Sequence, residues 1–298
     1  MLTVNRRLKG VYHTASIVQF NSKSKFIIMS DCHRGKGNIG DNFQPNQPVY
    51  IGALEYYYDS GFSYIELGDG DELWENRCLK PIIEAHSDVF ELLSRFYNDD
   101  RLYMLYGNHD AAKQKKSYLK SNCNSYYCDS ALCQKTLFPG IEIPEGIILQ
   151  DSKTKSQILL IHGHQVSFLN DTLWPLAKFL VRHVWKPLES IGFLAPTSPN
   201  WPREKAEKAE RKLSSFAKQE KIMMIAGHTH RPVFAKPGDT PYFNDGSCVH
   251  PGGITGIEIE NGMISLVKWY VSSRKDRTMY IERELMAGPV SLTDYDMQ

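Results

Sequence analysis

Little in these 298 residues points to a membrane, a disulfide scaffold or a disordered chain. No apolar run approaches the ~18 unbroken residues of a spanning helix. The nearest attempt, Leu173 to Leu194, is broken by Pro175, Lys178, Arg182, Lys186, Pro187 and Glu189. The opening "MLTVNRRLKGVYHTASIVQF" has basic residues but neither a continuous apolar core nor a small-residue cleavage site. It does not read as a signal peptide, so a cytoplasmic protein is the expectation. Net charge is only +1, and no long basic stripe carries interleaved aromatics, which argues against nucleic acid as partner. The six cysteines form no paired zinc pattern: Cys123, Cys128 and Cys133 repeat at five-residue spacing without a second pair. Free thiols in a reducing compartment are expected.

Short apolar runs, "KFIIMS" (25–30), "FSYIEL" (62–67), "RLYMLY" (101–106), "QILLI" (157–161) and "KIMMIA" (221–226), read as buried strands. Helical patterns lie between them, "VYIGALEYYYDS" and "PIIEAHSDVFELLSRFYN", the latter with Pro81 in its first turn. The alternation predicts an α/β fold, a layered β-sheet core flanked by helices. Near the end, "ITGIEIENGMISLVKWYV" predicts a hairpin turning at Asn261-Gly262. One domain over 1–298 is expected, with segments 111–143 and 166–220 added to the sheet core, the second as a helical insertion. Within the latter, Ala206, Ala209, Leu213 and Phe216 share one helical face, so the surrounding charges form its solvated side.

The residues just past each strand carry the chemistry. Asp31-Cys-His33 comes after the first, Gly68-Asp69-Gly-Asp71-Glu72 after the second, and Gly107-Asn108-His109-Asp110 after the third. His162-Gly-His164 and Gly227-His228-Thr-His230 come after the fourth and fifth. Glycine near each cluster lets the backbone turn sharply. Groups at the carboxyl ends of strands in an α/β sheet converge on one crevice, so the five clusters are predicted to meet. Any one of them alone is ordinary turn chemistry; five in this order are not. Carboxylate, amide oxygen and imidazole suit Mn, Fe or Zn, and the number of donors suits two divalent ions about 3.5–4 Å apart.

This order, D-x-H, GD-x-x-E, GNHD, HG and GH-x-H, resembles the calcineurin-like metallophosphoesterase superfamily from Ser30 to about Pro232. The later "FNDGSCVHPGG" and hairpin also look like its closing strands. The resemblance implies the calcineurin-like phosphoesterase fold and a small-molecule phosphate mono- or diester as substrate. It implies that Asp31, His33 and His230 bind one metal, that Asn108, His162 and His228 bind a second, and that Asp69 bridges them. A metal-bridging hydroxide would be the nucleophile. His109 would protonate or stabilise the leaving oxygen, with Asp110 orienting it, and Asn108 and His109 would contact substrate. Arg34, just after the first motif, is a candidate phosphate contact. Glu72 matches the family's acidic supporting position, and His164 is taken as structural or as a support behind the ligands.

Three rival readings compete with this one. "GKGNIG" (35–40) matches the dinucleotide-binding pattern, but Asp31 to Arg34 intervene after the strand and "DNFQPNQPVY" comes next with two prolines, against a helix opening there. A loop beside the metal site fits better. A non-catalytic scaffold, like a retromer subunit of the superfamily, would be expected to lose ligands or the catalytic histidine, and this chain keeps them. "GHTHRP" and "FNDGS" are also similar to bacterial UDP-diacylglucosamine hydrolases, nucleotide-sugar-lipid pyrophosphatases, but that group has Arg where this chain has His109. The apolar stretch Phe168 to Leu194 would cap a lipid-like substrate, touch a membrane surface peripherally, or pack on the core; packing is preferred.

Overall fold

The computed structural model describes residues 2–128, 133–167 and 203–295. In chain order the described strands are β1 (Ser16–Phe20), β2 (Lys25–Met29), β3 (Ser63–Leu67), β4 (Leu102–Leu105), β5 (Ser125–Cys128), β6 (Cys133–Thr136), β7 (Gly146–Asp151), β8 (Gln157–Ile161), β9 (Met223–Ala226), β10 (Tyr242–Asn244), β11 (Ile254–Glu260), β12 (Met263–Ser273) and β13 (Met279–Ser291). The described helices are α1 (Leu2–Thr14), α2 (Gln47–Asp59), α3 (Lys80–Ala85), α4 (Ser87–Asn98), α5 (Lys116–Asn122) and α6 (Arg203–Glu220). All five apolar runs are strands, within two residues of their expected limits.

They do not share one sheet. β2, β3 and β4 run parallel in a six-stranded sheet of order β13-β12-β11-β2-β3-β4, while β8 and β9 run parallel in a five-stranded sheet of order β1-β7-β8-β9-β10. The two sheets pack face to face through Ile28, Ile65, Leu67 and Leu105 on one side and Leu149, Leu160, Ile225 and Phe243 on the other. Alternate residues point outward. Ile27, Met29 and Tyr64 meet α2 and α4 through Leu54, Tyr57, Phe90 and Phe96, and Leu159, Ile161 and Met224 meet α1 and α6 through Leu8, Val11, Leu213 and Phe216. A strand covered on both faces is apolar at nearly every position, Glu66 of β3 being paired with Arg34, which is why these runs show no alternation in sequence. Each fully buried Leu, Ile or Phe side chain stabilises the layers by about 1.5–3 kcal/mol.

Several expectations are sharpened by the structure. The hairpin forms as read: β11 pairs with β12, and Asn261 (φ 54°) and Gly262 (φ 73°) supply the left-handed turn. The helical run from Pro81 to Asn98 is two helices, broken at the buried His86, whose ring nitrogens bond Gln47 Oε1 at 2.6 Å and Asp41 Oδ2 at 2.8 Å. Gly35 to Gly40 is a loop with no helix opening from it, but α2 does start inside the proline-containing stretch. Pro48 lies in its first turn, where a missing N–H forfeits no helical bond.

Segment 111–143 adds α5 and the separate β5–β6 hairpin, which bury Leu119, Cys123 and Tyr126 against the α2–α4 layer. Of segment 166–220, α6 is described and buries the expected Ala206, Ala209, Leu213 and Phe216; the stretch Phe168 to Leu194 lies outside the described residues. The described cysteines Cys32, Cys78, Cys123, Cys133 and Cys248 are free thiols. Among the described residues, no helix is long and apolar enough to cross a membrane.

Candidate metal centre

The carboxyl ends of β2, β3 and β4 meet those of β8 and β9 at one edge of the sandwich. There the backbone leaves ordinary strand geometry. Asp31 (φ 52°), His33 (φ 47°), Asp69 (φ 50°), His228 (φ 68°) and His230 (φ 55°) all adopt the left-handed region, which is uncommon outside glycine and is kept only where surroundings enforce it. The enforcement is visible. Past the strand ends, Asp31 N–H donates to Gly68 O at 3.1 Å, His33 N–H to Asp69 O at 2.9 Å, and Arg34 N–H to Gly70 O at 3.0 Å. Two of the strand-end glycines serve close approach rather than turning. A Cβ on Gly107 would lie 2.2 Å from Asp69 Oδ1, and one on Gly227 would lie 2.2 Å from Ser30 Oγ.

Each carboxylate is held by one oxygen and presents the other. Asp31 Oδ2 accepts the His228 backbone N–H at 2.8 Å, which ties the two sheets together. Asp31 Oδ1 is left 3.1 Å from His230 Nε2 and 3.6 Å from His33 Nε2. Asp69 Oδ1 accepts the His109 backbone N–H at 2.7 Å. Asp69 Oδ2 stands 3.1 Å from His162 Nε2 and 3.9 Å from His33 Nε2, between the two halves of the site. His162 is oriented by its Nδ1, which donates to Leu67 O at 2.9 Å.

The donor atoms fall into two groups that could each hold an ion, Asp31/His33/His230 and Asp69/His162/His228, with His33/Asp69/His109 between them. Asn108 Oδ1 is buried without a hydrogen-bond partner, an unfavourable arrangement for an amide unless a cation answers it. The electrostatics agree. Burial disfavours charge on every group, yet the His230 and His162 imidazoles hold Asp31 well below the usual carboxylate range, and His162 and His109 do the same for Asp69. Burial likewise works against imidazolium at His162, but Asp69 and Asp31 outweigh it and push its pKa up to about 9. His33 is raised well above its ordinary value against the same burial cost by bonds to Asp31 and Glu72, whereas burial and the neighbouring His162 bring His228 down to about 3. The carboxylates thus favour the protonated form of one imidazole in each group, His33 and His162. Metal binding must expel those protons, so affinity is expected to rise about tenfold per pH unit for each imidazole deprotonated as pH climbs toward 9. Titration of the metal-free protein with Mn²⁺ at pH 6.5, 7.5 and 8.5 checks this; a pH-independent affinity would refute it.

His109 lies against His33, with ring centroids 4.6 Å apart, and its partner differs from the expected one. Glu72 Oε2 accepts from His109 Nδ1 at 2.7 Å and from His33 Nδ1 at 3.1 Å, which leaves each Nε2 as the available ring nitrogen. Asp110 does not orient His109. Its Oδ1 accepts the Gly107 N–H at 2.7 Å and its Oδ2 accepts from Lys113 Nζ at 2.8 Å, so it closes the turn that carries Asn108 and His109. The expectation for Arg34 is also corrected. Its side chain is 0% exposed, doubly bonded to Glu66 at 2.6 and 2.9 Å and to Asp71 at 2.8 Å, with no donor face left for a phosphate. His164 is buried beside His162 and His228 and belongs to neither donor group.

Lys113 is hidden in the polar run "AAKQKK", where nothing but its place three residues after Asp110 hints at a role. It is 1% exposed, and Nζ reaches Asp71 Oδ2 at 2.7 Å as well as Asp110. Lys113 and Arg34 together offset Glu66, Asp71 and Asp110 beneath the centre. Breaking a buried pair leaves an uncompensated charge, so Lys113→Met is expected to destabilise the protein by about 3–5 kcal/mol in urea unfolding. A loss under about 1 kcal/mol would show that the network is not structural. Trp74, which no motif in the sequence singles out, stacks on His109.

The sequence comparison shows the family: the calcineurin-like phosphoesterase family matches residues 24–232, and the chain belongs to it. Among solved structures it is similar to a conserved protein of Streptococcus pneumoniae described as a predicted phosphoesterase, at 14% identity over 88% of this chain and 97% of that one, TM-score 0.37. It is also similar to Vps29 of Chaetomium thermophilum, at 11% identity over 89% and 97%, TM-score 0.43. A third is Vps29 of Entamoeba histolytica complexed with zinc, at 14% identity over 88% and 98%, TM-score 0.36. No curated protein matches the chain.

Proposed function

We propose that the chain is a dinuclear metal-dependent hydrolase of phosphate mono- or diesters. The observation that carries this reading is Asp69 Oδ2, which lies 3.1 Å from His162 Nε2 in its own donor group and 3.9 Å from His33 Nε2 in the other. Asp31, His33 and His230 would hold one divalent ion and Asn108, His162 and His228 the other, with Asp69 available to both. Two such ions, Mn, Fe or Zn, supply positive charge for the phosphoryl oxygens and lower the pKa of coordinated water toward neutrality.

The chain's own residues do the rest. Asp31 and Asp69 stay ionised in a buried site and so attract divalent cations. Glu72 fixes His33 and His109 in the tautomers that keep Nε2 available. With both ring nitrogens protonated, His109 would pass its Nε2 proton to the leaving oxygen as the P–O bond breaks and revert to the Nδ1–H form that Glu72 holds. A small soluble substrate is favoured; nothing among the described residues favours a lipid-linked pyrophosphate. The grouped donors and the left-handed backbone that holds them favour an enzyme over a non-catalytic scaffold.

The test is incubation of the Mn-loaded protein with a phosphomonoester, a phosphodiester and a nucleotide-sugar pyrophosphate, followed by phosphorus NMR. Cleavage of the mono- or diester is expected. Selective cleavage of the pyrophosphate would overturn the substrate class, and cleavage of none by folded, metal-loaded protein would overturn the enzyme.

A further inference from the structure

We infer that Trp74 is a positioning residue that sets both Asn108 and His109, joining the second donor group to the leaving-group histidine; the functional part of this rests on the proposed role of His109. Three contacts define its place. Its indole lies face to face with the His109 imidazole, with centroids 4.1 Å apart and planes 17° from parallel. Its Nε1–H donates to the Asn108 backbone carbonyl at 2.6 Å. Its own backbone N–H donates to Glu72 Oε1 at 3.1 Å, with Glu75 N–H at 3.3 Å on the same oxygen. Glu72 is thereby left to offer Oε2 to His109 and His33. The ring is 2% exposed, so these contacts are made away from water.

Each contact constrains a different freedom. The Glu72 bond fixes the in-plane direction of the His109 ring, but a single bond at Nδ1 leaves the ring free to swing about that axis. The stacked indole removes the swing, because tilting the imidazole drives its edge into the indole face. Donation to the Asn108 carbonyl pins the peptide that carries both residues, and with it the amide whose Oδ1 stands unpartnered in the site. Small misplacements at such positions cost rate steeply. The chain positions the whole device from one short stretch, Asp69 to Glu75, just past β3.

The experiment compares Trp74→Phe and Trp74→Ala with the wild type. In metal-free protein at mildly acidic pH, an imidazolium stacked on an indole quenches its emission. His109→Ala should therefore brighten tryptophan fluorescence, and the increase should vanish when Trp74→Phe is also present. Trp74→Phe keeps an aromatic plane but loses the Nε1–H, so it should weaken binding of the second Mn²⁺ by about 10-fold, the scale of an outer partner of a metal ligand, with the first unchanged. Trp74→Ala should lower kcat on phenyl phosphate, whose leaving group needs a proton, by about 100-fold, and on p-nitrophenyl phosphate by about threefold or less, with KM held. Trp74→Phe should restore most of that difference.

Equal loss on both esters, a change in KM alone, or a brightening that persists in the double variant would overturn the inference. If the wild type cleaves neither ester, the proposed function fails instead, and the fluorescence and second-metal readouts decide the positioning role by themselves. If Trp74→Ala does not fold, Trp74→Phe decides it through metal binding and emission.

Discussion

Asp69→Asn is expected to lose bound metal and turnover together. The substitution is nearly isosteric, and an amide oxygen at Oδ1 can still accept the His109 N–H that the aspartate accepts at 2.7 Å. What disappears is the charge at Oδ2, the atom 3.1 Å from His162 and 3.9 Å from His33. In the proposed centre two close cations would repel one another, and the shared carboxylate would offset that repulsion. Even outer partners of a ligand cost about 10–100-fold in affinity, so a ligand common to both ions should cost about 100-fold or more. Metal analysis after dialysis should fall from two equivalents toward zero, with circular dichroism unchanged. The same change removes the largest attraction that keeps His162 protonated, so the pKa now pushed up to about 9 should drop. Unchanged metal content in Asp69→Asn would remove Asp69 from the bridging position.

His109→Ala is expected to do the opposite: two metals retained, kcat reduced by about 10²–10⁴, the usual contribution of a positioned proton donor. The separation is possible because the His109 side chain bonds Glu72 and stacks on Trp74, while the contact it shares with Asp69 comes from its backbone, which alanine keeps. The deficit should be largest for poor leaving groups and partly restored by added imidazole, which fits the space that truncation leaves between Glu72 and Trp74. Wild-type turnover in His109→Ala on an alkyl phosphate would reject the role.

Much of the site is legible in sequence because its grammar is local. A strand buried on both faces is an unbroken apolar run, and the donors just past its end are read directly: Asp31 and His33 after β2, Asp69 after β3, Asn108 and His109 after β4, His162 after β8, His228 and His230 after β9. β1, β7 and β10 escape such a reading. β1 is an edge strand exposed at Ser16 and Ile17, and β10 has three residues, too few for a period to show. The helix α1 escapes it too, since its buried positions Leu8 and Val11 are few among polar neighbours. Partners are harder still. Asp110 comes directly after His109 in sequence and is expected to orient it, but the turn directs that carboxylate inward to Gly107 N–H and Lys113, and Glu72, 37 positions earlier, takes the role. Arg34 looks exposed beside a metal motif and is instead sealed between Glu66 and Asp71.

The sequence by itself determined which donors exist, their order, and that each ends a strand, because side-chain type and strand period are properties of a few neighbouring residues. Only the tertiary structure decided that the strands divide between two sheets, that Asp31 clasps His228 across them, that Asp69 stands between two donor groups, and that Trp74 braces His109. Those facts depend on how layers pack, since residues nearly 200 positions apart meet only when burying both faces of each sheet leaves one arrangement for their ends.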